Sequence, residues 1–597
     1  MSNNHFITTD DNSYNLKFLE KIDNDKQKLL LQRNLQIKDN QIFPIEPNRP
    51  GFSVVEIHNK LNDTIDDYGV AVYHPSINNY GALLSYPDDI DQEDSLHISN
   101  KTSRMEVGDY FFCMCMFLPY TMRRTVNRVT WEVDNPQVAE IVEHNVLLCK
   151  ATGTATVTVR SKANPQLTDS FTFEVVEAPT MEYPTKVNVD LVSLGITSGE
   201  VSDEVAKTNW TKMKEWLESY KDDVPREIIF PENTLIQVLL SYGQDGYQNF
   251  ENIYLPSYCD INLNGSTIKV KKNNLLSYTL FRFGDTVSAA ASSQPKEKPN
   301  GIECKWTRMR DGTITGEYGE KGSNSEIGYH EACLAFMYDY SERCGIQNMT
   351  VEKFPGFTIV SMKGIHSRPI TLDPKSFVNG DLNPENGEQV YSNSCVVSND
   401  FIDISFYKLR NQFDISSPYG YGGYLTGTRN FTVCFYDESK SFISSLVAAR
   451  MCVNQEIPKN AKYVKIVFYC KAMPVSSGNA MYIKDRYEPY RDYIIGCTLR
   501  GNKSCAFAPA GGSHFRILNN TFIDNGKQTP ACDADYEDGW QLQGYNDVWK
   551  GNTMHKHIIL CAGKGFIFVE NTFVNKGHFW IYGGDRFLCN NKKYYEK

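Results

Sequence analysis

The sequence predicts a mainly β chain organised around a solenoid, and three observations carry that prediction. A short phrase recurs late in the chain: Asn520-Thr521-Phe522, Asn552-Thr553-Met554 and Asn571-Thr572-Phe573, spaced by 32 and then 19 residues. Cys497-Thr498-Leu499 and Met349-Thr350-Val351 repeat the phrase upstream with the Asn replaced. Each copy follows an apolar stretch and leads to a polar turn, as expected when coils stack and share their buried and exposed positions. A wall of this kind is long, rigid and ridged, and it suits extended polymers, glycans above all.

The bulk numbers bound the rest. A chain of 597 residues is too long for one core. Apolar residues at 41% and charged residues at 22% fit a folded globular chain. A net charge of −11 with no long basic run argues against nucleic acid or an anionic membrane surface as the main partner. No apolar run reaches the roughly 18 residues needed to cross a bilayer, so no membrane insertion is expected. The opening residues show no basic segment followed by an apolar one, so no signal peptide is expected. The 16 cysteines have no CxxC and no zinc-like spacing. They read as free, buried, small apolar residues of a protein made in a reducing compartment.

Taken in order, residues 1–100 read as an attachment region. Within it, residues 14–36 suggest a helix with Leu16, Leu19, Ile22, Leu29 and Leu30 toward one side. Residues 101–178 read as a β-sandwich, from short alternating strands parted by turn residues. The strand Val129–Val133 carries Trp131, and Asn135-Pro136 and Val138–Val142 follow; Gly153–Val159 closes the set. This wording resembles the bacterial Ig-like domain, group 2, which implies a spacer or weak surface binder without chemistry.

Residues 185–390 begin with a helix over 203–220. Ser202-Asp203-Glu204 supplies an N-cap and an acidic first turn. Asn209, Met213, Trp216, Leu217 and Tyr220 then follow at helical spacing. After it come Ile228-Ile229-Phe230-Pro231, Leu255-Pro256-Ser257 and Ile261–Ile268. This order resembles the start of the pectate-lyase-like right-handed parallel β-helix, in which the helix caps the open end of the solenoid. That superfamily's Gly/Asp-rich loop before the helix is absent. The coil pattern stops near 390 and resumes near 490, and residues 490–597 read as the second part of the β-helix. Between them, Phe431–Phe435 and Val464–Phe468 alternate strongly. The wording there resembles jelly-roll carbohydrate-binding modules, so residues 391–489 read as an inserted β-sandwich.

The densest acidic cluster is Asp533, Asp535, Glu537 and Asp538, within the one over-long late coil. On a strand, Asp533 and Asp535, or Asp535 and Glu537, would face the same way. Paired carboxylates are the parts for cleaving a glycosidic bond, one as acid and one as base or nucleophile. The cluster also suits Ca²⁺, which takes oxygen ligands; no other cofactor or metal is expected. Trp540 beside it is a candidate stacking platform for a sugar. Further candidate glycan contacts are His514, Glu331 (with Glu326 and His330), Trp580 and Asp585 (with Arg586).

The modules together resemble a bacteriophage tail spike or baseplate receptor-binding protein. That resemblance implies a virion protein made in host cytoplasm and a homotrimer beside other tail or baseplate proteins. It implies a host cell-wall or surface polysaccharide as ligand, bound during adsorption without catalysis. The alternative is a polysaccharide depolymerase, a hydrolase or lyase, using the carboxylates near 533–538.

Overall fold

The computed structural model describes, before residue 92, only the strands at 14–18, 35–38, 41–44, 51–59 and 64–72. Beyond it, the description covers 95–118, 129–143, 145–240, 252–273, 275, 277–285, 302–319, 333–361, 364–366, 374–393, 395–405, 412–416, 430–449 and 452–468. It continues over 482–487, 489–509, 511–526, 532–536, 546–560, 564–574, 577, 579–581, 585–589 and 591–594. The chain forms two compact units, residues 1–91 and 92–597.

In the first unit, Tyr14–Phe18, Gly51–Asn59 and Thr64–Val72 form an antiparallel sheet, and Leu35–Lys38 pairs with Gln41–Pro44. Of the helix expected over 14–36, the two ends are strands, Tyr14–Phe18 and Leu35–Lys38, and residues 19–34 lie outside the described residues. Tyr14, Leu16 and Phe18 alternate, and period two suits a strand as well as their spacing suited a helix.

The second unit opens with a two-sheet sandwich. Val129–Val133, Gly153–Ser161, Thr168–Val176 and Arg104–Glu106 make one sheet; Ala139–Glu143, Val146–Cys149 and Tyr110–Phe112 make the other. Ala155, Val157 and Val159 alternate inward and meet Phe173, Leu147 and Ala139 in one core. This strict alternation on Gly153–Ser161 is what made the domain legible.

The body of the unit is a parallel β-helix with a 17-stranded sheet and an 8-stranded sheet. Its first end is closed by the helix Asp203–Leu217, capped by the Ser202 side chain. The helix buries Ala206, Asn209, Trp210, Met213 and Leu217. Trp210, Met213 and Leu217 continue the apolar column that fills the coils.

The repeated phrase has a precise structural meaning. Thr267, Thr313, Thr350, Thr498, Thr521, Thr553 and Thr572 are register partners in successive coils, each half-exposed on the outer face. The apolar residue after each Thr, from Ile268 to Phe573, points into the interior. The Asn before it forms a ladder through the buried Asn520, Asn552 and Asn571 to the half-buried Asn591. Asn520 Nδ2 donates to Asn552 Oδ1 at 3.0 Å, Asn552 Nδ2 to Asn571 Oδ1 at 2.9 Å and Asn571 Nδ2 to Asn591 Oδ1 at 2.9 Å. Each amide also donates to a carbonyl inside its corner, as Asn552 does to Ile517 O at 2.8 Å. Cys497 takes the ladder position one coil earlier, its N–H donating to Asn520 Oδ1 at 2.8 Å.

A second corner carries a row of left-handed residues that are not glycine. Tyr258, Trp306, Arg343, Arg491, His514 and Asn546 have φ of 59°, 53°, 55°, 57°, 58° and 55°. Backbone bonds stack them: Tyr258 N–H to Lys305 O, Trp306 N–H to Glu342 O, Arg343 N–H to Tyr490 O, Arg491 N–H to Ser513 O. A left-handed residue with a Cβ costs roughly 1–2 kcal/mol, which glycine avoids.

The solenoid is interrupted between Ile359–Ser361 and Tyr493–Ile495. The module in the gap has a sheet containing Phe377–Asn379, Val396–Ser398, Tyr463–Phe468, Asn430–Tyr436 and Phe442–Ala449, and another containing Gly364–His366, Tyr482–Tyr487, Gln412–Ser416 and Cys452–Glu456. The two strands singled out by alternation pair directly, Phe431 with Phe468 and Phe435 with Val464. The module starts at about 364, not 391. Gly364–His366 pairs with Tyr482–Tyr487 at its base, a long-range partnership that local pattern does not reveal.

Candidate functional site

The acidic segment begins in the strand Cys532–Tyr536 of the eight-stranded sheet. Ala534 pairs with Ile558 and faces the interior; Asp535 pairs with Ile559 on the outside. Pairing is irregular between Cys532 and Ala534, so Asp533 is the extra residue of a bulge. The bulge breaks the alternation that would set Asp533 and Asp535 side by side.

Asp533 is fully buried. Its Oδ1 accepts from Asn525 Nδ2 at 3.1 Å and its Oδ2 from the Lys556 N–H at 2.7 Å. Asn525 in turn accepts from Asn502 Nδ2 at 2.8 Å, and Asn502 Oδ1 accepts from the Phe354 N–H at 3.0 Å. Asp533 thus ends a second polar ladder at a corner that needs acceptors on both sides. Burial pushes its carboxyl up to about 6, against the lowering effect of those donors and of His555. Asp535 is also buried, 4% exposed. Around it the outer face is apolar, with Leu334, Met337, Val360, Ala508, Cys532 and Ile559 forming one dry patch.

Glu537, Asp538 and Trp540 lie outside the described residues, as do Glu326, His330 and Glu331. Trp580 and Asp585 fall in the strands Phe579–Ile581 and Asp585–Cys589. The chain leaves the eight-stranded sheet at Tyr536, at the C-terminal end of its strand, and its next described strand is Val548–Lys550 of the 17-stranded sheet. The same edge releases residues 284–303 after Tyr278–Phe283 and the whole inserted module after Ile359–Ser361. In the sheet order, one coil with a short turn separates each of these three excursions from the next.

His514 is brought to a different place. It sits in the left-handed corner row, half-buried beside Tyr490, with ring centroids 5.4 Å apart. Burial, with Arg491, Arg516 and Arg343 nearby and against Asp109, holds its imidazole down at about 3. A neutral ring packed this way is a structural group of the corner.

Two features escaped sequence reading. Arg282 bridges two carboxylates, Asp285 at 2.9 Å and Asp339 at 2.7 Å, and Tyr254 donates to Asp285 at 2.7 Å. These residues stand at the same sheet edge as the excursions. On the inserted module, Tyr391 is 80% exposed beside Val390 at 48%. Neither has a sequence motif; both arise from register.

Among the described residues, no three His, Cys, Asp or Glu side chains gather in a way that would hold a metal. Among them also, no helix is long and apolar enough to cross a membrane.

No protein-family model matches the sequence, and no curated protein matches it. Among solved structures, the chain is similar to the tailspike protein of E. coli bacteriophage HK620 in complex with a pentasaccharide. The identity is 9% and the TM-score 0.31, over 65% of this chain and 47% of that one. A hexasaccharide complex of the same tailspike gives 9% and 0.33 over 65% and 48%, and the S-layer protein rSbsC gives 12% and 0.13 over 29% and 21%. The chain therefore spans about half the length of the tailspike chains it matches.

Proposed function

We propose that this chain is a phage tail protein of the spike or baseplate type that binds a host surface glycan during adsorption. The observation that supports it most directly is the column of chain excursions on one edge of the eight-stranded sheet. Stacked coils fix that edge rigidly, and the chain leaves it from alternating coils. An extended polymer gains contact from such an edge at little ordering cost. Glu537, Asp538 and Trp540 follow in sequence directly after the strand Cys532–Tyr536, and a ring platform with hydroxyl acceptors would serve a sugar. A homotrimer, contacts with other tail proteins and a place in the virion belong to the same reading.

Cleavage of the bound glycan is the second reading, favoured by the density of carboxylates at that edge. Asp535 and Glu537 are the acid–base candidates in it. Asp533 serves the same reading through its high carboxyl pKa and disfavours it through its engaged oxygens. Ca²⁺ bound by this segment is a further part of the proposal.

The test uses the full chain with a panel of purified bacterial surface polysaccharides. Binding of at least one, weakened tenfold or more by Trp540→Ala, supports the glycan reading. Failure to bind any polysaccharide of a susceptible host overturns it. New reducing ends or unsaturated products, lost in Asp535→Asn and Glu537→Gln, establish cleavage; binding without products removes it.

A further inference from the structure

The N-terminal sandwich is expected to be a spacer, yet it lies against the outer wall of the C-terminal coils. Its Phe112 and Val146, flanked by Tyr110 and Met114, pack on Val548, Ile567 and Val569, flanked by Leu518. Beside this apolar seam runs a buried ion network. Arg491 donates to Glu106 at 2.9 Å and to both oxygens of Asp109 at 2.9 and 2.7 Å. Arg516 reaches Asp109 at 2.8 Å, and Arg343 pairs with Glu106. Asn546 Oδ1 accepts the Phe112 N–H at 3.0 Å.

Three of these groups, Arg343, Arg491 and Asn546, belong to the left-handed corner row, and His514 sits between the last two. The row continues through Trp306, whose carbonyl accepts from Tyr183 OH at 2.7 Å. Tyr183 lies in the link between sandwich and solenoid, and Arg308 stacks 5.3 Å above its ring. Strained positions kept by large side chains point to a role for those side chains.

We propose that this corner row is a docking rail for the sandwich and its link, and that the sandwich is a fixed lateral brace of the solenoid. Its footprint closes the wall formed by Leu518, Val548, Ile567 and Val569 to any large ligand. The brace itself does not depend on what the protein binds.

Hydrogen exchange of the full-length protein tests this. Arg491→Gly supplies the residue the backbone prefers and removes the docking group. Glu106→Gln alters the partner side at the end of the strand Arg104–Glu106, outside the solenoid. The proposal expects both variants to raise exchange about tenfold or more in two places together, residues 105–112 and residues 516–518 with 548–569. Tyr258→Gly, at the same corner but outside the sandwich footprint, should leave both places unchanged. Arg491→Gly that leaves the sandwich side unchanged overturns the proposal. So does Glu106→Gln that loosens only its own strand. If Arg491→Gly fails to fold, Glu106→Gln alone decides.

Discussion

Asp533 is buried and His514 half-buried, and their environments shift them in opposite directions. The Asp533 carboxyl lies at about 6, above its ordinary 3.8, so the folded chain takes up the proton first on acidification. Protonation there favours the fold, and stability rises as pH falls from about 6 to about 4. His514 lies at about 3, below its ordinary 6.5, so the unfolded chain is protonated first. Its contribution is complete above pH 6.5 and is lost as pH falls toward 3. Each slope approaches about 1.4 kcal/mol per pH unit, and between pH 6 and 4 they oppose. We expect Asp533→Asn to steepen acid destabilisation in that window and His514→Asn to reverse its sign. Urea midpoints measured at pH 4 to 7 check both. The acidic cluster was visible in the sequence, but the bulge at Asp533 was not. A bulge depends on which residues of the next coil pair across it.

At the scale of the element, the Asn-Thr-apolar phrase divides its work by direction. Asn552 faces the corner, Thr553 the solvent and Met554 the interior. Asn552→Ala removes the acceptor of the Asn520 N–H and side-chain amide, at 2.9 and 3.0 Å, and the donor to Ile517 O. Leaving such groups buried and unpaired costs about 3 kcal/mol, while Thr553→Val on the half-exposed face costs about 0.5 kcal/mol or less. Chemical denaturation of the two variants separates them. At the corner between the strand rows, Gly551 has φ +68° and a Cβ there would stand 2.4 Å from Asn519 Oδ1. Gly551→Ala is expected to lose about 1–3 kcal/mol, read from the same denaturation curves. The phrase was legible because every coil imposes the same three directions. The start of the inserted module was not, since its short strands near 364–390 look locally like any others.

For the whole molecule, the decisive fact is the face on which the sandwich lies. The outer wall of the 17-stranded sheet changes character along its length. Register partners Glu227, Asp260 and Arg308 lie on the early coils, and Val548 and Ile567 on the late ones. Charge on the early part is satisfied within the wall, as where Arg308 and Arg310 hold Asp260 at 2.7 to 3.2 Å. On the late part, the apolar positions are satisfied by Phe112 and Val146. Val569→Asp would bury an unpaired charge in that seam and cost about 3 kcal/mol or more, whereas Gln347→Asp on the wall away from the seam costs about 0.5 kcal/mol or less. Thermal unfolding of the two variants checks the contrast.

The sequence by itself determined the solenoid, its capping helix, the sandwich and the presence of an inserted module. Each of these repeats a local pattern of burial that side-chain chemistry must obey. Only the tertiary structure decided where the module begins, that Asp533 ends a buried polar ladder, and that the sandwich folds back on the late coils. Those outcomes depend on pairing between residues tens to hundreds of positions apart. Arg491 reaching Asp109 across 382 residues is the clearest case. Nothing in either local sequence names the other, and only the stacked coils bring them together.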